Sequence, residues 1–272
     1  MISPKNEPPT NHSITIVSAF FDISRLDRSK ETYFDWISKT IKLNAPFVFF
    51  TQSKYKNEIE KIFETKHNNN YKIIAIELED LEYYAEFRRV VEILTSQEYK
   101  RKISKPDRIE CTNPFYAIVQ HSKLSLLLSV SNWNPFNSTK FFWMDAGIWR
   151  FYKNFNLEQK LTGQHLAENS FHIAIHSFAF KDRDFRIKNE NLIWTSKNFF
   201  IGGMMGGTQN VISNVAFKLR AKWKYLLNKN IVNNEQIVLL LVYFDRPELF
   251  SLKTYNNWFW SFNLKQIFES LI

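Results

Sequence analysis

Ile14-Thr15-Ile16-Val17-Ser18-Ala19-Phe20-Phe21 is an apolar run interrupted only by Thr15 and Ser18, and the polar turn Asp22-Ile23-Ser24-Arg25 follows it. β-Branched and aromatic side chains crowd the run with no regular polar alternation, so it reads as a central strand buried on both faces. The next sixty residues extend the pattern. Residues 33–43 carry apolar side chains at helical spacing, 46–50 are strand-like, 58–63 supply another helix, and 71–78 form a third strand before Glu79 and Asp80. Such alternation predicts an α/β fold: a mainly parallel open sheet flanked by helices on both faces.

Further along, residues 113–130 read as a helix and 139–144 as a strand whose run Phe141-Phe142-Trp143-Met144 stops abruptly at Asp145-Ala146-Gly147. A strand is expected over 171–178. Residues 199–207 are apolar and glycine-rich and open into a helix, whose inner face is Val211, Val215, Leu219, Trp223 and Leu226, with Lys218, Arg220, Lys222 and Lys224 largely on the others. A short buried helix over 234–242 stops before Pro247. Residues 1–12 are expected to be a flexible segment and 13–272 one domain, with 96–107 its most exposed stretch. The tail over 255–272 is aromatic and then amphipathic, suited to pack on the domain or rest on a membrane surface.

Composition narrows the function. With 272 residues, 44% of them hydrophobic, the chain can bury a substantial core. The net charge of +9 favours anionic partners: a nucleotide-sugar, a membrane surface or nucleic acid. Specific nucleic-acid binding is disfavoured, because the basic run over 218–224 lacks interleaved aromatics apart from Trp223. Cys111 is the sole cysteine, so an intrachain disulfide, a thiolate zinc site and an iron–sulfur cluster are all excluded, and a reducing, cytoplasmic setting is expected. The polar start is unlike a secretory signal, and no apolar run reaches the roughly 18 residues of a spanning helix. Membrane contact is therefore expected to be peripheral at most.

Glycine is informative because the chain has only 6, about a third of the number that average usage of ~7% would give. Gly202, Gly203, Gly206 and Gly207 fall together, Gly147 follows the 139–144 strand, and Gly163 stands apart. Clustering of this kind requires positive φ or close approach to the main chain, by a ligand or by a tight bulge or turn. Ligands of an open parallel sheet lie beyond the carboxyl ends of its strands, where Asp145 is expected. Its carboxylate is suited to a cation or a ribose hydroxyl, with a turn or helix cap as the other reading. Thr208 could cap the helix after the glycines, whose free N–H groups would suit a sugar hydroxyl or diphosphate. Neither a P-loop nor a dinucleotide fingerprint is present. His172 and His176 would share a strand face about 13 Å apart, too far for one metal, and read as packing or acceptor contacts.

The segments Thr15-Ile16-Val17-Ser18-Ala19-Phe20-Phe21-Asp22, His121-Ser122-Lys123, Trp143-Met144-Asp145-Ala146-Gly147, Gly202-Gly203-Met204-Met205-Gly206-Gly207 and Asn234-Glu235-Gln236 resemble the HtrL/YibB family and, more distantly, GT-A glycosyltransferases. The resemblance implies a GT-A-like fold and transfer of a sugar from a UDP-linked or similar donor to a surface-glycan or lipopolysaccharide-type acceptor. A noncatalytic glycan-binding or scaffold protein is the other reading. By the same resemblance Ser18, Ala19, Phe20 and Asp22 would line the nucleotide, and Asp145, with Ala146 and Gly147, would hold the diphosphate through Mn2+ or Mg2+. Lys123 would contact phosphate or ribose, or be simply solvated. Gly202, Gly203, Gly206 and Gly207 would shape the sugar and acceptor pocket, with Glu235 and Gln236 at its floor. Glu235 would then be the base on the acceptor hydroxyl, or else a first-turn helix carboxylate. Gly147 stands where the usual Asp-x-Asp pattern has its second Asp, and no His follows residue 176. A weakly held ion, or basic side chains such as Lys123 or Arg150, are the alternatives to a conventional metal.

Overall fold

The computed structural model describes residues 13–25, 27–65, 70–151, 161, 163–164 and 166–255. Expectations for residues 1–12 and for the tail beyond 255 lie outside the described residues. The strands are β1 (Ile14–Phe20), β2 (Phe47–Thr51), β3 (Tyr71–Ala75), β4 (Lys140–Met144), β5 (Phe171–His176), β6 (Phe200–Gly207) and β7 (Phe250–Tyr255). The helices are α1 (Lys30–Thr40), α2 (Lys56–Glu64), α3 (Phe87–Thr95), α4 (Gln97–Lys102), α5 (Ile109–Thr112), α6 (Pro114–Trp133), α7 (Arg183–Arg186), α8 (Gln209–Asn228) and α9 (Glu235–Asp245).

All seven strands join one sheet in the order β3-β2-β1-β4-β6-β5-β7. β1 is central, paired in parallel with β2 through Ile16 and Phe47 and with β4 through Ile14 and Lys140. Only β6 runs against its neighbours, β4 and β5. The expected α/β architecture, mainly parallel with helices on both faces, is present.

Successive strand side chains point to opposite faces, and each face has its own core. Val17, Val48, Phe141, Trp143 and Met205 pack with Leu124 and Leu127 of α6 and Val215 and Trp223 of α8. On the other side Ile14, Ile16, Phe49, Phe142 and Met144 pack with Ile37 of α1 and Ile59 and Phe63 of α2. This two-sided burial explains why the central strands read as unbroken apolar runs.

Local signals set the long helices. Asn113 caps α6 by accepting the Tyr116 N–H, Pro114 occupies its first turn, and Asn134 ends it with φ 46°. Asn234 caps α9 by accepting the Ile237 N–H.

Several expectations need correction. β3 ends at Ala75 and β5 at His176, because 3-10 turns begin at Leu78 and Ser177. Residues 96–107 are exposed at most positions, as expected, but they are ordered in part as α4 and anchored by buried Tyr99 and Ile103, the Tyr99 hydroxyl donating to the Val232 carbonyl at 2.6 Å. The glycine-rich segment is a strand in its own right, and it bulges against β5, where pairing slips between Ile173 and Ala174. Thr208 precedes α8 without a side-chain cap and instead donates to the Glu168 carbonyl. Since β6 is antiparallel, α8 starts beside Phe141, at the sheet edge opposite Asp145. Its amino terminus does not serve that site.

His121 is wholly buried on α6, with Nδ1 against the Ala117 carbonyl at 2.8 Å and its ring 3.9 Å from that of Trp223. Burial lowers its pKa to about 3. The folded state therefore keeps it neutral while the unfolded chain takes up a proton below the ordinary histidine value of 6.5. Stability from this group is complete above that value and is lost as pH falls toward 3. One such group costs roughly 2 kcal/mol between pH 7 and pH 5. Thermal melts should show this loss in the protein and a smaller one in His121→Gln; equal slopes would exclude His121 as the source.

Candidate functional site

Asp145 directly follows β4, at the carboxyl edge of the sheet, and its N–H donates to the Gly203 carbonyl at 2.9 Å. Two residues after Trp143, it points to the same side of the sheet, toward α6. Its Oδ1 accepts from Trp143 Nε1 at 2.7 Å and faces Lys123 Nζ at 2.9 Å. The side chain remains 35% exposed. Lys123, from the middle of α6, is only 3% exposed and also meets Glu235 Oε1 at 2.9 Å and the Gly202 carbonyl at 3.3 Å.

An ammonium buried so deeply needs compensation. Burial pulls Lys123 toward neutrality, but the Asp145 and Glu235 carboxylates outweigh it and hold the lysine above its ordinary range. Burial in turn pushes Glu235 up, and Lys123 only partly opposes that push. With carboxylate oxygens of Asp145 and Glu235 each at 2.9 Å, Lys123 is charged. Glu235 opens α9 and is 3% exposed behind the lysine, so it is a counter-ion and not a base reaching an acceptor.

In front of Asp145 lies an open cleft. Ala19, Phe20 and Asp22 at the end of β1 form one wall, and Tyr116, Gln120 and Lys123 of α6 form another. Ala146, Gly147 and Arg150 complete it on the Asp145 side. Among the lining residues Arg25, Arg28, Lys30, Lys123 and Arg150 are cations and Asp22 and Asp145 carboxylates; Glu58 and Glu235, outside the lining, pair with Lys30 and Lys123. Asp27 pairs with both Arg25 and Arg28 from an exposed position. Arg25 lies 5.6 Å over the Tyr116 ring and Arg150 5.7 Å over that of Trp36. Burial, then the nearby Arg28, pulls Arg150 below its usual range, while Asp145 opposes the shift. Asp22 accepts from the Tyr55 hydroxyl at 2.6 Å and from the Ser24 N–H at 2.9 Å, and chiefly the Tyr55 bond keeps its carboxyl below the ordinary value.

The structure thus brings together Ala19, Phe20, Asp22, Lys123, Asp145, Ala146 and Gly147 of the expected set. Ser18 is buried within β1 opposite Phe49, outside the cleft lining. Gly202 and Gly203 lie behind Asp145, and Gln236 packs against Gly202. A Cβ on Gly202 would stand 2.4 Å from Glu235 Oε1. Gly206 and Gly207 are at the far edge, pressed on the Phe141 and Ser170 carbonyls, so the quartet does not surround one pocket. Gly202, Gly206 and Gly207 serve close approach of protein to protein, whereas a Cβ on Gly203 would meet only ordinary contacts.

Sequence reasoning missed Arg25, Arg28, Lys30, Tyr33 and Tyr116. The signal was available, since three cations follow the end of β1 within ten residues.

A divalent ion does not fit this donor set. Asp145 Oδ1 is occupied by an N–H and an ammonium, and the space beside Gly147 is filled by Trp36 and Tyr33, 3.2–3.3 Å from where a Cβ would be. Among the described residues no group of three or more His, Cys, Asp or Glu could hold a metal. None of the helices among the described residues is long and apolar enough to cross a membrane.

The family described as "Bacterial protein of unknown function (HtrL_YibB)" matches residues 12–269. The chain belongs to this family. As an HtrL_YibB member it is 24% identical over 278 residues to Protein HtrL of Escherichia coli (strain K12), covering 95% of this chain and 93% of that one. Among solved structures it is similar to the core-mannan synthase A of Aspergillus fumigatus in its Mn/GDP form, with a TM-score of 0.47, 14% identity and coverage of 93% of this chain and 75% of that one. The PaToxG glycosyltransferase gives 0.38, 11% identity, and coverage of 86% and 68%. The glycosyltransferase GlyE of Streptococcus pneumoniae TIGR4 gives 0.39 and 11% identity, with 89% of this chain spanning 45% of that one.

Proposed function

We propose that this HtrL_YibB member is a glycosyltransferase using a nucleotide-sugar donor, UDP-linked or similar, and a surface-glycan acceptor. The observation that carries the reading is the cleft at the carboxyl ends of β1 and β4, where five lining cations outnumber two lining carboxylates beside the rings of Phe20, Tyr33 and Tyr116. A diphosphate matches the positive field, and a flat base or sugar ring matches the aromatic wall. Ligands of parallel sheets settle at this edge. In this reading Arg25, Arg28 and Arg150 bind the diphosphate and offset the charge that grows on it as the glycosidic bond breaks. Oδ2 of Asp145 is the carboxylate oxygen left for a sugar or ribose hydroxyl.

Isothermal titration with UDP, GDP and their relatives should give saturable binding. Losing one hydrogen bond to a charged group costs about 1.5–3 kcal/mol, so Asp145→Ala should weaken binding roughly 10- to 100-fold. If no nucleotide in the panel binds, the proposal fails. A noncatalytic glycan-binding protein is the second reading, favoured by the partly exposed Asp145 carboxylate, whose charge Lys123 already offsets. Slow hydrolysis of a nucleotide-sugar by the protein would separate the two, since a scaffold should release no free sugar.

A further inference from the structure

Within the proposed donor site, the unusual feature is the charge state of its carboxylate. Asp145 is locked to a lysine that cannot leave, because Lys123 projects from the middle of α6 and is held from behind by Glu235 and the Gly202 carbonyl. A small divalent ion binds carboxylate oxygen at about 2.1 Å, so an ion on Oδ1 would lie within roughly 5 Å of the lysine nitrogen. Two fixed positive charges would then compete for one oxygen that already accepts the Trp143 N–H. Oδ2 alone would offer a single protein ligand. No second carboxylate can be supplied at Gly147, whose surroundings Trp36 and Tyr33 already fill.

From this geometry we infer that the site handles a diphosphate without a divalent cation: the Lys123 ammonium occupies Asp145, and Arg28 and Arg150 meet the phosphates directly. The inference rests on the nucleotide-sugar reading and specifies its electrostatics. Lys123 is a positioning residue, since its Nζ at the cleft wall is taken up by Asp145, Glu235 and the Gly202 carbonyl. It keeps Oδ1 fixed and leaves Oδ2 as an acceptor for a hydroxyl. The arginines supply forked donors that match phosphate oxygens, which an arginine does and a point charge such as lysine does less well.

The test is a titration of UDP and GDP into the full-length protein, once in EDTA and once in excess Mn2+, with Mn2+ alone as a third arm. The expected result is a nucleotide Kd equal in the first two arms to within about twofold, weakening as salt is raised, and no saturable uptake of Mn2+ alone. Arg28→Gln and Arg150→Gln should each weaken nucleotide binding about tenfold at unchanged melting temperature. Nucleotide binding that appears only with Mn2+ would overturn the inference and leave the glycosyltransferase reading standing. Binding to neither nucleotide in any arm would remove both.

Discussion

Lys123→Met should lower the melting temperature by roughly 6–20 °C, the span expected when a buried ion pair loses one partner at about 3–5 kcal/mol in a chain of this size. The mutation leaves Glu235, 3% exposed, with its oxygen facing methionine in place of an ammonium. It also unpairs Asp145 Oδ1, although that carboxylate keeps the Trp143 N–H and a third of its surface in water. The damage therefore comes mostly from Glu235. Lys123→Met combined with Glu235→Leu should recover much of the loss, because replacing both charges by apolar groups removes the desolvated carboxylate itself. Thermal melts of the two single variants and the double variant measure the coupling. A single-variant shift below about 2 °C would mean that the lysine is hydrated and its burial misassigned.

Gly206→Ala is the second large effect. A Cβ at this position would stand 2.1 Å from the Phe141 carbonyl oxygen and 2.8 Å from Phe142 Cα. Both obstacles are main chain of β4, near the centre of the sheet, and no rotamer change can clear them. The strands must separate, so the variant should lose 3 kcal/mol or more, or fail to accumulate as soluble protein. Gly203→Ala provides the comparison on the same strand. Its nearest neighbours would be Ile148 Cδ1 at 3.7 Å and Asp145 Oδ2 at 3.9 Å, ordinary contact distances. It should melt within a few degrees of the parent while altering nucleotide binding through Asp145. Similar melting of the two variants would contradict the strand packing described.

What could be read from the sequence follows from where each signal is stored. β1, β2 and β4 are buried on both faces, so their runs of Ile, Val and Phe are continuous and local. The parallel order then follows from the helices between them. Asp145 was visible because it ends such a run abruptly. Lys123 was ambiguous, since its partner Glu235 is 112 positions away and no local pattern distinguishes a lysine held by a distant carboxylate from one in water. The glycine cluster pointed correctly to close approach at Gly202 and Gly206, but the approaching groups are the protein's own strands and side chains. β6 and β7 were missed as strands for a related reason. Glycine has weak strand preference, and Phe250–Tyr255 is short, with only Phe250-Ser251-Leu252-Lys253 alternating, and its parallel partner β5 lies far away in the chain.

The most direct test of the donor site is a crystal of the protein soaked with UDP or GDP. The account predicts the diphosphate beside Arg28 and Arg150, with a ribose or sugar hydroxyl within hydrogen-bond distance of Asp145 Oδ2. A nucleotide bound elsewhere, or an empty cleft at a concentration that saturates binding in solution, would contradict it.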